Sequence, residues 1–437
     1  MWGKIRRDPA ICVVLFGLAA VLLGFLREQA VAAKLGVSMS TDAFYLASAL
    51  ILFIPSLVNG ACQGILAPQY SRKLLLAGPE AGKKLLEQLL FIILGLGAAA
   101  AGLQLLGQAV GYALWGGQFS PRMSLTMSSS AWLALSVPAL CFSTAGVAAL
   151  NVLGRYWVGA ASAGVAPLVA TMILYLPNAS ASSLAVGVVL GLNVQALVLA
   201  LALAREGVIL SRRPSWSDSK PVLRDLVVVA LGVVASAASP LAIQTVVAGL
   251  GDSELTTYTL GTKITAGFLG LSALILSSIL TPLFSARASG LPYSRARFRA
   301  YLWMTALAGA SVTVFLMACS KQVIEMFLGH ALAPAELERV AQMQFYAALQ
   351  IPAFILLFLG IRAVQAYHDV RFVSVMNWVQ CLLILALASV LLPCLGLIGI
   401  IVAVALAYAL SGFCYLLKYR KMRNLSKQVH LSPEDGC

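Results

Sequence analysis

The sequence predicts an all-α polytopic membrane protein of about twelve transmembrane helices, arranged as two lobes of six. Three observations carry this expectation. Of the 437 residues, 60% are hydrophobic and 11% charged, with a mean hydropathy of +0.92; a soluble domain carries about 25% charged residues. Apolar segments long enough to cross a bilayer, which takes about 20 residues each, recur along the whole chain. The cations between those segments gather in alternate breaks, as membrane topology requires.

The segments run roughly 10–33, 43–68, 86–113, 124–152, 157–177, 182–204, 222–250, 255–285, 300–320, 340–365, 372–393 and 396–417. Lys4, Arg6 and Arg7 before the first could open a signal peptide, but the spans that follow favour an uncleaved first helix. Gly and Pro interrupt many segments, as Pro55, Gly60 and Gly64 do in the second. Close helix packing by small residues accounts for most of these glycines. With a cytoplasmic N-terminus and alternating sides, 24 of the 30 Lys and Arg fall in cytoplasmic segments. The exceptions are Arg27, Lys34, Arg122, Lys263, Lys321 and Arg339. Such a bias assigns both termini to the cytoplasm and favours an even number of spans. The net charge of +14 therefore marks topology beside anionic lipid headgroups, and not a nucleic-acid partner.

The longest polar break inside the chain, 205–221, separates six segments from six. It carries Arg212, Arg213, Pro214, Ser215, Asp218 and Lys220. At an offset of 214 residues, Ala67-Pro68-Gln69-Tyr70-Ser71 falls against Thr281-Pro282-Leu283-Phe284-Ser285. The same offset pairs Asn151 with Gln365, Phe44 with Tyr258 and Ala49 with Lys263. A parallel repeat of this kind belongs to transporters, with the binding site between repeats. The expected organisation is an N-terminal lobe at 1–204, a cytoplasmic linker at 205–221, a C-terminal lobe at 222–418 and a cytoplasmic tail at 419–437.

Catalysis has little room. The external breaks are short, and the richest, 321–339, reads as a solvated amphipathic surface with Lys321, Glu325, His330, Glu336, Glu338 and Arg339. The three histidines share no metal-ligand spacing with Cys, Asp or Glu, and the eight cysteines fall singly in mostly apolar runs. There is no phosphate-binding Gly motif of a nucleotide hydrolase. The expectation is a transporter without cofactor or metal, not an enzyme.

The informative groups are ionisable residues inside or at the edge of spans, where charge is expensive. Arg27 and Glu28 end the first segment, Asp42 opens the second and Lys263 lies within the eighth. Arg27 is either an interfacial anchor or an ion-pair partner of Asp42. Lys263 either snorkels to the outer interface along its aliphatic stem or faces a central cavity and holds an anion. No acid lies deep in a segment, which argues against a proton relay and for an anionic substrate.

These residues carry a resemblance. Gly24-Phe25-Leu26-Arg27-Glu28, Ala33-Lys34-Leu35-Gly36 and Thr41-Asp42-Ala43-Phe44 resemble the first helical hairpin of the MurJ/MviN lipid II flippases, within the multidrug, oligosaccharidyl-lipid and polysaccharide exporter superfamily. Gly60-Ala61-x-Gln63 followed by Pro68 and Tyr70 resembles the end of that family's second helix. Lys263 stands 19 residues before Pro282, as a basic residue does in the family, and Asn151-x-x-Gly154-Arg155 also fits. The motif match is dense over the first 70 residues and patchy to about residue 285.

The resemblance implies a MATE/MurJ-like fold and a flippase, acting as a monomer in the bacterial inner membrane. It would carry a polyprenyl-diphosphate-linked saccharide from the cytoplasmic to the periplasmic leaflet by alternating access. It implies Arg27 and Lys263 as cavity groups for the diphosphate, and Asp42, Glu28 and Gln63 as cavity or gating residues. Some positions depart from the family. Val21 replaces an Arg, Leu52–Val58 is apolar where cations precede Gly-Ala, Asn59 replaces an acid, and two further C-terminal helices have no counterpart. These departures leave an exopolysaccharide or other surface-glycan repeat unit open as the cargo. A cation-coupled drug or metabolite antiporter, or an enzyme acting on lipid-linked sugars, are the readings of other classes.

Overall fold

A computed structural model describes residues 9–115, 119–209, 216–288, 295–367 and 369–429. The Lys4, Arg6, Arg7 cluster, Arg212 and Arg213 of the linker and residues 430–437 of the tail lie outside them. So does the side chain of Gln63, although its backbone is helical.

The described residues form helices joined by short turns, with no strand among them. In chain order these are α1 (Pro9–Leu35), α2 (Met39–Trp115), α3 (Pro121–Ala134), α4 (Val137–Val152), α5 (Tyr156–Ser162), α6 (Val165–Leu174), α7 (Ala181–Arg205) and α8 (Trp216–Ala248). They continue as α9 (Glu254–Ala288), α10 (Arg295–Ala318), α11 (Ser320–Leu328), α12 (Pro334–Ala347), α13 (Gln350–Gln365), α14 (Val370–Leu395) and α15 (Leu397–Val429). An all-helical span follows from the solvent: lipid offers nothing to backbone N–H and C=O groups, so they pair within the segment.

Ten stretches among the described residues are long and apolar enough to cross a membrane, and the bent α3–α4 pair makes an eleventh. The remaining expected span corresponds to α9, whose second half includes side chains outside the described set. The chain is a multi-pass membrane protein.

Two departures from the expected segments have local causes. The second and third segments are two helices that meet directly at Gly78 (φ 81, ψ 177), with no loop between them. Pro79 follows, and the pair turns the chain without a loop: glycine takes the positive φ at no Cβ penalty, and proline starts the next run with its φ already set. The fourth segment is broken by 51° at residues 135–136, just ahead of Pro138. The buried Ser136 hydroxyl donates to the Leu133 carbonyl at 2.6 Å, which also accepts the Ser136 N–H at 2.9 Å.

Two compact units divide the chain, one of Met1–Leu260 with Glu325–Leu337, the other of Gly261–Ile324 with Glu338–Cys437. In the first, α1 packs on α5 and α6, and α2 packs on α3, α4 and α8. Lipid tails are as apolar as leucine, so close van der Waals contact holds such helices together. Gly60 illustrates it: a Cβ there would lie 2.5 Å from Val233 Cγ1 on α8, so Gly60 is a packing contact.

In the second unit, α15 packs on α13 and α14 around Leu357, Val364, Met376 and Tyr415. Asp369 caps α14 by accepting from the Phe372 N–H at 3.1 Å and pairs with Lys418 Nζ at 2.9 Å. The hydrogen bonds from Lys418 and the Phe372 amide hold its carboxyl below the usual carboxylate range.

Candidate substrate and gating site

The first unit gathers polar residues around the α1–α2 hairpin. Gly36 (φ 62) turns the chain, and the Thr41 hydroxyl donates to the Gly36 carbonyl at 3.1 Å, closing the turn. Ala43 and Phe44 are buried. The Thr41-Asp42-Ala43-Phe44 motif is thus in part a folding device. Asn151-x-x-Gly154-Arg155 is another. Gly154 adopts φ 78, and the Arg155 Nε–H donates to Glu206 Oε1 at 2.7 Å, fixing the α4–α5 turn to the end of α7.

Two charged networks remain. In the first, Arg27 Nη2 donates to Glu28 Oε1, and the Tyr45 hydroxyl donates to Glu28 Oε2 at 2.5 Å. Glu28 is 3% exposed and Tyr45 6%, while the Arg27 side chain keeps 23% of its surface. An unpaired carboxylate in such a place would cost several kcal/mol. Two donors offset that cost and leave the guanidinium as the more accessible member of the pair.

In the second, Asp42 is fully buried and accepts from four donors. They are Arg122 Nη2 at 2.6 Å, the Ser253 N–H at 2.8 Å, the Thr256 N–H at 2.7 Å and the Thr256 hydroxyl. Arg122 in turn donates to the Ala248 carbonyl and to the Gly251 carbonyl at 2.7 Å. A helix C-terminus favours a cation and an N-terminus an anion. Arg122 therefore caps the end of α8, Asp42 caps the start of α9, and the two caps pair with each other. Asp42 and Thr256 stand 214 residues apart, so the contact joins positions equivalent under the repeat offset.

These contacts settle one alternative: the partner of Arg27 is Glu28, and the partner of Asp42 is Arg122. Glu28 lies within the span Cys12–Leu35, whereas Asp42 stands in the first turn of the span Met39–Gly60, at its edge. Glu28 therefore brings one acid into a span, where the sequence placed none deep. Lys263 is half-buried on α9 in the second unit, two residues from Thr265, which accepts from Gln344 Nε2 at 3.0 Å. Arg122 escaped the sequence reading as a site residue. Its one signal was a cation on the side that the charge bias leaves poor in cations. No group of three or more His, Cys, Asp or Glu capable of holding a metal occurs among the described residues.

The model of the family described as lipid II flippase MurJ matches residues 31–432. The chain belongs to that family. Among solved structures, a lipid II flippase MurJ in an inward closed conformation aligns with a TM-score of 0.75 at 18% identity, over 93% of this chain and 87% of that one. An inward-facing MATE-family multidrug resistance transporter of the MOP superfamily aligns at 0.72 and 15% identity, over 96% and 99%. A MOP superfamily transporter from Pyrococcus furiosus, described as having reversed binding-pocket polarity, aligns at 0.70 and 14% identity, over 96% and 97%. These likenesses establish a MATE/MurJ-like fold. A search of curated protein sequences gave no match.

Proposed function

We propose that this MurJ-family chain flips a polyprenyl-diphosphate-linked saccharide of the lipid II type across the bacterial inner membrane, from the cytoplasmic to the outer leaflet, by alternating access. Transport, and not catalysis, is its activity. The observation that carries the reading is the Arg27–Glu28 pair, a cation kept inside the first span of a flippase-family chain by a buried acid. Arginine offers a diphosphate paired donors in a planar fork and lysine a point charge, so Arg27 and Lys263 are each proposed as diphosphate-binding groups. The guanidinium would exchange Glu28 for the more strongly anionic diphosphate while the polyprenyl tail stays in lipid. Glu28 thus acts as a placeholder that keeps the empty site from burying an unpaired charge.

Asp42 and Arg122 serve the gate in this reading. With both termini cytoplasmic, the α1–α2 turn, the start of α3 and the α8–α9 turn all lie at the outer face. The Asp42–Arg122 latch then holds that face closed, and release of substrate outward requires it to open.

The test is complementation in a strain depleted of its own flippase. Arg27→Ala and Lys263→Ala are each expected to abolish growth at normal membrane levels. Growth at the parental rate with both variants would remove the diphosphate assignment.

The buried acids favour a second reading, cation-coupled antiport. Transport that tracks an imposed pH gradient and ignores lipid-linked saccharide would select it.

A further inference from the structure

The two networks meet on one turn of α2. Tyr45, whose hydroxyl holds Glu28, follows Asp42 by three residues, so both side chains leave the same helical face. Both are buried, Tyr45 to 6% exposure and Asp42 completely. The turn between them is held by helical backbone bonds and by the Thr41 contact to Gly36, so it moves as a piece. A substrate anion at Arg27 competes for the guanidinium that Glu28 holds. The Glu28 carboxylate must then adjust, and the Tyr45 hydroxyl connects it to α2.

We propose that the Tyr45 hydroxyl is the coupling contact through which substrate held at Arg27 loosens the Asp42 latch. Tyr45 is a positioning residue: it acts on the latch through the α2 turn and on substrate through Glu28. The reasoning rests on the assignment of Arg27 above. It also accounts for a tyrosine hydroxyl buried against a carboxylate, where phenylalanine would fill the same volume without a polar group to satisfy. A ligand shifts a conformational equilibrium only by its different affinity for the two states, and this contact gives the two states different partners for Glu28.

The experiment uses the full chain in liposomes with a fluorescent polyprenyl-diphosphate disaccharide as probe. Three quantities are read: probe affinity, flipping rate and hydrogen–deuterium exchange at residues 249–256, whose Ser253 and Thr256 amides are held by Asp42. In the wild type, probe is expected to speed exchange in that segment. Tyr45→Phe keeps the ring and its packing; it is expected to bind probe with nearly unchanged affinity and to lose the probe-dependent exchange. Its flipping is expected to fall about tenfold, the rate equivalent of one charge-assisted hydrogen bond. Wild-type flipping by Tyr45→Phe, or persistence of its probe-dependent exchange, overturns the proposal. The exchange measurement on the wild type needs no variant, and exchange there that ignores the probe overturns it as well. Arg27→Ala separates the two levels: unchanged probe affinity in that variant removes the binding assignment beneath the coupling.

Discussion

Asp42 and Arg122 depend on each other for solvation. Each caps a helix terminus, and each would lose its charged partner with the other. Breaking a buried pair from one side costs roughly 3–5 kcal/mol; the Arg122 side chain is 20% exposed, which lowers the figure for its half. Asp42→Ala also takes the acceptor from the Ser253 and Thr256 amides, so it is expected to destabilise the protein more than Arg122→Ala. The double variant should be less damaged than the sum of the two, with a coupling of about 1–3 kcal/mol. Thermal unfolding of the four proteins in detergent measures this, and strict additivity would deny the pair. At this scale the sequence was partly legible. Arg27, Glu28 and Asp42 stood out because charge beside an apolar run is conspicuous. Their pairing was not legible, because Arg122 and Thr256 reach Asp42 across 80 and 214 residues, and no local pattern encodes such contacts.

Helices were the legible elements, since an apolar run of spanning length has few alternatives in lipid. Their interruptions were less so. A break between the second and third spans was expected between residues 68 and 86, and the chain makes it at Gly78 as a turn without a loop. Gly60 and Val233 test the packing account. Gly60→Ala brings a methyl against Val233 Cγ1 and should lower yield and thermal stability, and adding Val233→Ala should recover part of the loss. No recovery would mean that Gly60 acts through something other than the α2–α8 contact. Asp369 tests a cap. Its carboxyl titrates below the usual range in the folded chain, so its stabilisation is fully present above that range and is lost as pH falls through the lowered value. Asp369→Asn should therefore melt below the wild type near neutral pH, with the gap closing in strong acid. A gap that widens on acidification would contradict the cap.

For the molecule as a whole, the one-sided placement of Lys and Arg yields a checkable orientation. A fluorescent reporter fused after residue 429 should glow, and a phosphatase active only outside the cytoplasm should stay silent there; the reverse pattern would place the Asp42 latch at the inner face. Family membership and fold rest on residues 31–432 and on alignment across nearly the whole chain. The first hairpin already carried the family in its sequence, because its turn residues, caps and charges sit within about 20 positions of one another. The cargo is set by the few groups that meet the headgroup, so it has to be measured. The most direct measurement reconstitutes the purified chain in liposomes and follows the leaflet of a labelled lipid II against the same lipid without its diphosphate. Rapid movement of lipid II alone, lost in Arg27→Ala, is the expected result. Equal movement of both lipids, or movement of lipid II undiminished in Arg27→Ala, would contradict the account.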